Sequence, residues 1–136
     1  MITFIKTLFT YFFITITWAM VYNEVLFDNA LNEMAVGWRD EPLVPLGMLT
    51  IFIQSVAIFY LYSKFYTSSK PYPESFALIY LVGVFDISYA SFIEPATFEV
   101  DPVWKFVCIK LIYSIVHFFL VGIAMVFVYN HKKQKA

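Results

Sequence analysis

The chain has 136 residues, of which 61% are apolar, 21% are aromatic and 14% are charged, and its formal net charge is −1. Soluble domains carry roughly 25% charged residues, and a chain this short cannot hide so many aromatic side chains from water. The composition therefore excludes an ordinary soluble domain and predicts a single domain surrounded by lipid. Cys108 is the single cysteine, which excludes an intramolecular disulfide, a thiolate-rich metal site and a quinone-coupled thiol oxidase.

Four apolar segments are long enough to cross a membrane, because a helix needs roughly 20 apolar residues to span about 30 Å of hydrocarbon. In chain order they cover about 2–23, 43–63, 75–92 and 103–129. The apolar runs are continuous, unlike the alternating pattern of a membrane β-barrel. Prolines, which interrupt helices, stand at the junctions or open a segment: Pro42, Pro45, Pro71, Pro73, Pro95 and Pro102. The sequence therefore predicts an all-α fold, with residues 1–136 forming one polytopic transmembrane domain, a four-helix bundle.

The first segment is predicted to be a retained anchor, since its end at residues 18–20 is a poor signal-peptide cleavage site. Apolar residues recur at helical spacing in the loop that follows: Phe27, Leu31, Met34 and Ala35. Gly37 comes next as a helix stop, and Trp38 is typical of a membrane interface. This pattern predicts a short amphipathic helix on the outer interface. The alternative is an irregular acidic loop.

Lysines predict the orientation of the chain. One side of the four-span arrangement carries six of them: Lys6, Lys64, Lys70, Lys132, Lys133 and Lys135. The opposite side carries Arg39, Lys105 and eight of the ten acidic residues: Glu24, Asp28, Glu33, Asp40, Glu41, Glu94, Glu99 and Asp101. Because cytoplasmic loops are enriched in Lys and Arg, both termini and the loop 64–74 are predicted to lie in the cytoplasm, with the protein in the cell (inner) membrane.

Each span carries one stripe of polar or small residues, which in lipid are expected to face neighbouring helices. The stripes of the first and second spans are Thr3, Thr10, Thr17 and Glu24, and Gly47, Thr50, Gln54 and Ala57. Those of the third and fourth spans are Gly83, Asp86 and Ala90, and Lys110, Ser114, His117 and Ala124. The four stripes predict a compact bundle with a partly polar interior.

Five of these residues form the candidate site, an intramembrane polar cluster: Glu24, Gln54, Asp86, Lys110 and His117. Asp86 and Lys110 each lie about seven residues from the outer end of their span, roughly 10 Å deep, and are candidates for an ion pair. Glu24 and a lipid phosphate are alternative partners of Lys110, while His117 and Gln54 lie deeper. Two interpretations stay open: a proton-responsive polar track, or a structural pair with hydrogen bonds that holds the bundle in register, with Lys110 also able to reach up to the interface.

Other site chemistries are excluded more firmly. His117 is the only histidine within a span, whereas haem ligation between helices usually needs two. Ser88 and Ser91 have no histidine at a matching depth, so a serine hydrolase is not expected. The sequence has no HExxH and no Gly-rich phosphate loop. We therefore expect no enzymatic activity, no catalytic residues, no metal, no cofactor and no nucleic-acid partner.

The chain resembles a family of uncharacterised bacterial four-span membrane proteins. The resemblance rests on these residues: Trp18 and Val25-Leu26-Phe27, Glu41-Pro42 through Leu46-Gly47, Gln54, Phe59-Tyr60-Leu61-Tyr62, and His117 with Val121-Gly122. It covers nearly the whole chain and implies the same topology, but it carries no assigned activity.

These observations favour a non-enzymatic multi-pass membrane protein that serves as a scaffold or an accessory subunit of a membrane assembly. Its expected partners are membrane lipids and other membrane proteins or further copies of itself. The alternative is a small proton-linked transporter or channel acting as a homo-oligomer, for which the polar cluster would provide the pathway.

Overall fold

The computed structural model describes residues 2–27, 30–34 and 43–130, without the side chains of residues 31 and 32. These residues are almost entirely helical and contain no strand. The α-helices are α1 (Ile2–Met20), α2 (Ala30–Met34), α3 (Val44–Phe65), α4 (Pro71–Ser88), α5 (Glu94–Thr97) and α6 (Val103–Asn130). Two π-helical turns extend this framework, Val21–Leu26 after α1 and Tyr89–Ile93 between α4 and α5.

Four continuous helical units are long and apolar enough to cross a membrane: Ile2–Leu26, Val44–Phe65, Pro71–Thr97 and Val103–Asn130. The prediction of four membrane-length helices in an all-α fold is thereby confirmed. The third unit, which we call the α4–α5 unit, ends later than predicted. It continues past residue 92 as the π-helical turn and α5, so that Pro95 lies in a helix rather than in a loop.

Pro95 explains why the helix changes its winding at this place. Proline lacks an N–H group, and its ring clashes with the carbonyl group four residues earlier in an α-helix, which here belongs to Ser91. Ser91 lies within the wider π-helical turn, which accommodates the conflict. Proline is tolerated in the first turn of a helix, and α5 begins one residue earlier, at Glu94.

The four units form a closed ring. α1 packs against α3, α3 against α4, α4 against α6, and α6 against α1. Two ends result, which we name by their residues. The terminal end is where Ile2 begins α1 and Asn130 ends α6, and the acidic end is where Leu26 ends the first unit and Val103 begins α6.

The tightest packing joins the α4–α5 unit to α6. A β-carbon added at Gly83 would lie 2.7 Å from the ring of Phe118, and one added at Gly122 would lie 2.7 Å from the ring of Phe76. Glycine is therefore required at both positions for the helices to approach this closely. Gly47, by contrast, has no atom within 4 Å of an added β-carbon, so the predicted packing role of this residue is wrong.

The helical units differ in how much of their surface the protein itself covers. Only 11% of the apolar window of the first unit is buried, against 39% for the last unit. α6 is therefore the most covered helix of the ring and α1 the least covered. Large apolar side chains such as Phe9, Phe13 and Phe85 are exposed along the outside, as is typical of a surface that faces lipid.

The predicted amphipathic helix after the first span is present in part, as α2. Its Met34 is buried against Val100 and Phe106, and the Met34 carbonyl accepts a hydrogen bond from the backbone N–H of Asp101 at 3.0 Å. α2 therefore packs onto the acidic end of the bundle. The predicted continuation through Ala35, Gly37 and Trp38 lies outside the described residues.

Candidate functional site

A chain of hydrogen bonds crosses the bundle interior through three helices. The hydroxyl of Tyr11 on α1 donates to Oε1 of Gln54 on α3 at 2.6 Å, and Nε2 of Gln54 donates to Oδ1 of Asp86 on α4 at 3.4 Å. Polar groups away from water are stable when they are hydrogen-bonded to one another. The structure therefore brings together two of the five predicted site residues, Gln54 and Asp86, and adds Tyr11.

An ion pair lies closer to the acidic end. Nζ of Lys110 on α6 is 3.0 Å from Oε2 of Glu94, and the two side chains are 16% and 25% exposed. The ammonium group also lies 5.4 Å from the ring centroid of Phe106. A charge that is largely withdrawn from solvent is costly unless it is paired, so each of these side chains stabilises the other in its place.

Glu94 is the site residue that the sequence analysis missed. Pro95 led us to expect a loop there, but the helix continues and carries Glu94 about two turns beyond Asp86, towards α6. Lys110 thus takes a partner that differs from both predicted carboxylates, Asp86 and Glu24. Asp86 nevertheless lies within electrostatic range of both members of the pair.

Glu24 lies apart from the cluster. It is exposed on the π-helical turn Val21–Leu26, and no contact within the described parts of the chain joins it to the other predicted site residues. The inward residue of this turn is the buried Tyr22, whose hydroxyl donates to the carbonyl of Ile109 at 2.5 Å.

His117 is buried among aromatic rings. Its Nε2 is 3.0 Å from the hydroxyl of Thr15 on α1. Its ring lies 5.7 Å from that of Tyr11, 5.9 Å from that of Tyr113 and 5.0 Å from that of Phe118. This environment fits the interpretation of a hydrogen-bonded structural histidine that joins α6 to α1.

Two buried hydroxyl groups near the ion pair have no hydrogen-bond partner among the residues described. They belong to Ser91, which is 0% exposed, and Ser114, which is 1% exposed. We refer to them as the unpartnered serines. Leaving such a group unsatisfied costs about 1–3 kcal/mol, so their position requires an explanation. Ser114 lies four residues after Lys110 on the same face of α6, and Ser91 lies three residues before Glu94, within the π-helical turn.

The inward faces of α1 and α3 differ from the predicted stripes. Along the first unit, Thr17 and Glu24 of the predicted stripe are exposed, while Thr3 and Thr10 are half-buried. The inward face instead carries Thr7, Tyr11, Thr15, Trp18 and Tyr22. On α3, Gly47 and Thr50 are exposed, and the buried residues are Ile51, Ser55, Ile58 and Tyr62. Tyrosine and tryptophan combine apolar bulk with a polar tip, and their recurrence at positions 11, 18 and 22 is a signal that could have identified the inward face of the first unit.

A packed apolar layer separates the polar cluster from the terminal end. Ile58, Ile79, Phe118, Val121 and Met125 are each 0% exposed and belong to one core cluster. Tyr11, Tyr62 and Tyr129 belong to the same cluster, and their hydroxyls take part in polar networks on either side of these five residues. Within the described residues no hydrogen bond joins those networks across the layer.

A second polar network lies beyond this layer, nearer the terminal end. The hydroxyl of Tyr62 lies 2.7 Å from that of Ser75, which donates to the carbonyl of Gly122 at 2.6 Å. The hydroxyl of Thr7 lies 3.1 Å from that of Tyr129. These bonds satisfy buried polar groups at helix contacts and do not extend to the cluster around Asp86.

Among the side chains that the structure describes, no group of three or more His, Cys, Asp or Glu residues could hold a metal ion. Comparison of the chain with protein-family models, with curated proteins and with solved structures gave no match. The functional argument therefore depends on the geometry of the bundle.

Proposed function

We propose that this chain is a non-enzymatic multi-pass protein of the cell (inner) membrane, with both termini in the cytoplasm, and that it acts as a scaffold or an accessory subunit of a membrane assembly. The observation that carries this proposal is the fully buried apolar layer, which closes the single bundle between its polar cluster and the terminal end. A closed bundle has no path for a solute, but its outer surface remains available to partners.

The most suitable partner surface lies along α1, because this helix is the least buried. Apolar grooves flank it on both sides. One groove of about 270 Å³ lies between α1 and α3, and two of about 230 and 380 Å³ lie between α1 and α6. Phe9 lines the first and the last of these grooves. Close van der Waals packing drives helix association in lipid, and such grooves fit the side chains of another membrane helix.

The test is purification in mild detergent from the native host, with quantitative mass spectrometry of the proteins that co-purify. We expect Phe9→Ala to reduce recovery of a specific partner. Phe85→Ala is the matched control, since Phe85 is similarly exposed on α4 but lines none of these three grooves. A monodisperse monomer without any co-purifying protein would contradict the proposal.

A second candidate function is a proton-linked transporter or channel acting as a homo-oligomer. It is favoured by the hydrogen bonds from Tyr11 through Gln54 to Asp86, next to the ion pair of Lys110. The apolar layer requires a second copy to complete the pathway. Reconstituted vesicles test this function: Asp86→Asn and Lys110→Met should each abolish flux, and unchanged flux in both variants would reject it.

A further inference from the structure

The unpartnered serines lie on two helical units that pack against each other, Ser91 in the π-helical turn of the α4–α5 unit and Ser114 on α6. Two contacts fix how these antiparallel helices align: Glu94 pairs with Lys110 towards the acidic end, and Gly83 meets Phe118 deeper in the bundle. Both serines lie between these two contacts along their respective helices. Their hydroxyl groups are therefore held at similar depth, just below the ion pair and above the apolar layer.

The charged side chains described in this part of the bundle do not balance. Within the described residues, Asp86 and Glu94 supply two carboxyl groups and Lys110 supplies one ammonium group. With both carboxyl groups ionised the cluster carries a formal charge of −1. Such a charge is strongly disfavoured in an apolar environment unless a cation compensates it.

We infer that the unpartnered serines, together with Asp86 and Glu94, form a binding site for one small monovalent cation, for which Na⁺ is the natural probe. Such an ion offers both hydroxyl oxygens a partner and compensates the single negative charge. A proton on Asp86 compensates the charge but gives the hydroxyls no partner, and a water molecule gives the hydroxyls a partner but leaves the charge. The alternative to one bound cation is therefore a proton and a water molecule together, which the binding experiment distinguishes because neither depends on sodium.

The local backbone supports this site. Ser91 lies in the π-helical turn Tyr89–Ile93, which is followed by Pro95. Single π-helical turns occur frequently at functional sites, and irregular helix at membrane depth is tolerated where it is buried in protein. A cation would hold the α4–α5 unit against α6 at its least regular part, whether or not the protein transports anything. The inference is thus independent of both proposed functions.

The experiment measures saturable binding of radioactive sodium to the full chain purified in detergent, with choline chloride keeping the ionic strength constant. Thermal stability in NaCl and in choline chloride is recorded in parallel. We expect saturable binding and a higher midpoint temperature in NaCl. Ser91→Ala and Ser114→Ala should each weaken sodium binding about tenfold, because each removes one oxygen ligand whose contact with the ion is comparable in strength to a hydrogen bond to a charged group. Asp86→Asn should abolish sodium binding.

Ser88→Ala is the matched control, because Ser88 lies on the same helical unit but is exposed, with its hydroxyl donating to the carbonyl of Phe85. This variant should bind sodium as the unmodified chain does. Absence of saturable binding to the unmodified chain would overturn the inference, even if the alanine variants failed to fold. Unchanged affinity in Asp86→Asn, or in the Ser91→Ala and Ser114→Ala double variant, would overturn it too.

Discussion

Replacement of Lys110 by methionine tests the energetic role of the buried ion pair. Methionine keeps much of the length and apolar volume of the lysine stem but removes the ammonium group 3.0 Å from Glu94. The carboxylate is then left without this partner at a position where its side chain is only 25% exposed. Lys105→Met is the control, because Lys105 is on the same helix and is exposed.

The expected loss follows from distance and burial. Two unit charges 3.0 Å apart attract each other by about 5.5 kcal/mol at an effective dielectric constant of about 20, and desolvation offsets a large part of this attraction. Exposed pairs contribute about 0–1 kcal/mol, whereas breaking a fully buried pair costs about 3–5 kcal/mol. The partial burial of both side chains places the loss for Lys110→Met between these limits, at about 2–3 kcal/mol.

The assay is reversible unfolding in mixed detergent micelles, followed by circular dichroism. Lys110→Met should lower the free energy of unfolding by the stated amount, and Lys105→Met should change it by no more than about 0.5 kcal/mol. The double variant of Glu94→Gln and Lys110→Met should be less destabilised than the sum of the single variants, since neither charge is then left alone. Equal stabilities of the two lysine variants would refute the reasoning.

Three further predictions concern packing, buried hydroxyls and sidedness. Gly83→Ala should destabilise the bundle by about 1–3 kcal/mol in the same assay, because its β-carbon would press on a ring of α6, whereas Gly47→Ala should be neutral or slightly stabilising. Tyr62→Phe should cost about 1 kcal/mol by removing a buried hydrogen bond to α4; unchanged stability would contradict the role assigned to this hydroxyl. Cysteines placed at residues 29 and 136 of a chain with Cys108→Ser should react with impermeant reagents from opposite sides of the membrane, and labelling from one side would refute the predicted threading.

Hydropathy predicted the four membrane-length helices because crossing an apolar layer constrains length and composition more strongly than any other feature of such a chain. It did not predict which face of each helix turns inward. A membrane helix is apolar on nearly every side, so its inward face is selected by packing and hydrogen bonding rather than by burial from water. The regular spacing of Thr3, Thr10, Thr17 and Glu24 therefore did not identify the inward face of the first unit, since Thr17 and Glu24 are exposed and the other two are half-buried.

Tyrosine accounts for most of this difference. None of the predicted polar stripes contains a tyrosine, yet Tyr11, Tyr22, Tyr62 and Tyr129 are all at most 5% exposed. Each directs its hydroxyl to a partner on another helix. Glu94 was not predicted as a site residue for a different reason, because the proline next to it is compatible with either a loop or the first turn of a new helix.

The two halves of the bundle differ in polarity, and this difference limits which functions a single chain can perform. Towards the acidic end, the described charged and hydroxyl groups lie between the helices with one carboxyl group in excess, which favours binding of a cation. Between this cluster and the second polar network lies the fully buried apolar layer, which opposes its passage. Binding without flux is therefore the behaviour that this arrangement favours for a single chain. A cation that is bound but not conducted would stabilise the contact between α6 and the irregular part of the α4–α5 unit. The exposed face of α1 would remain free to bind a partner.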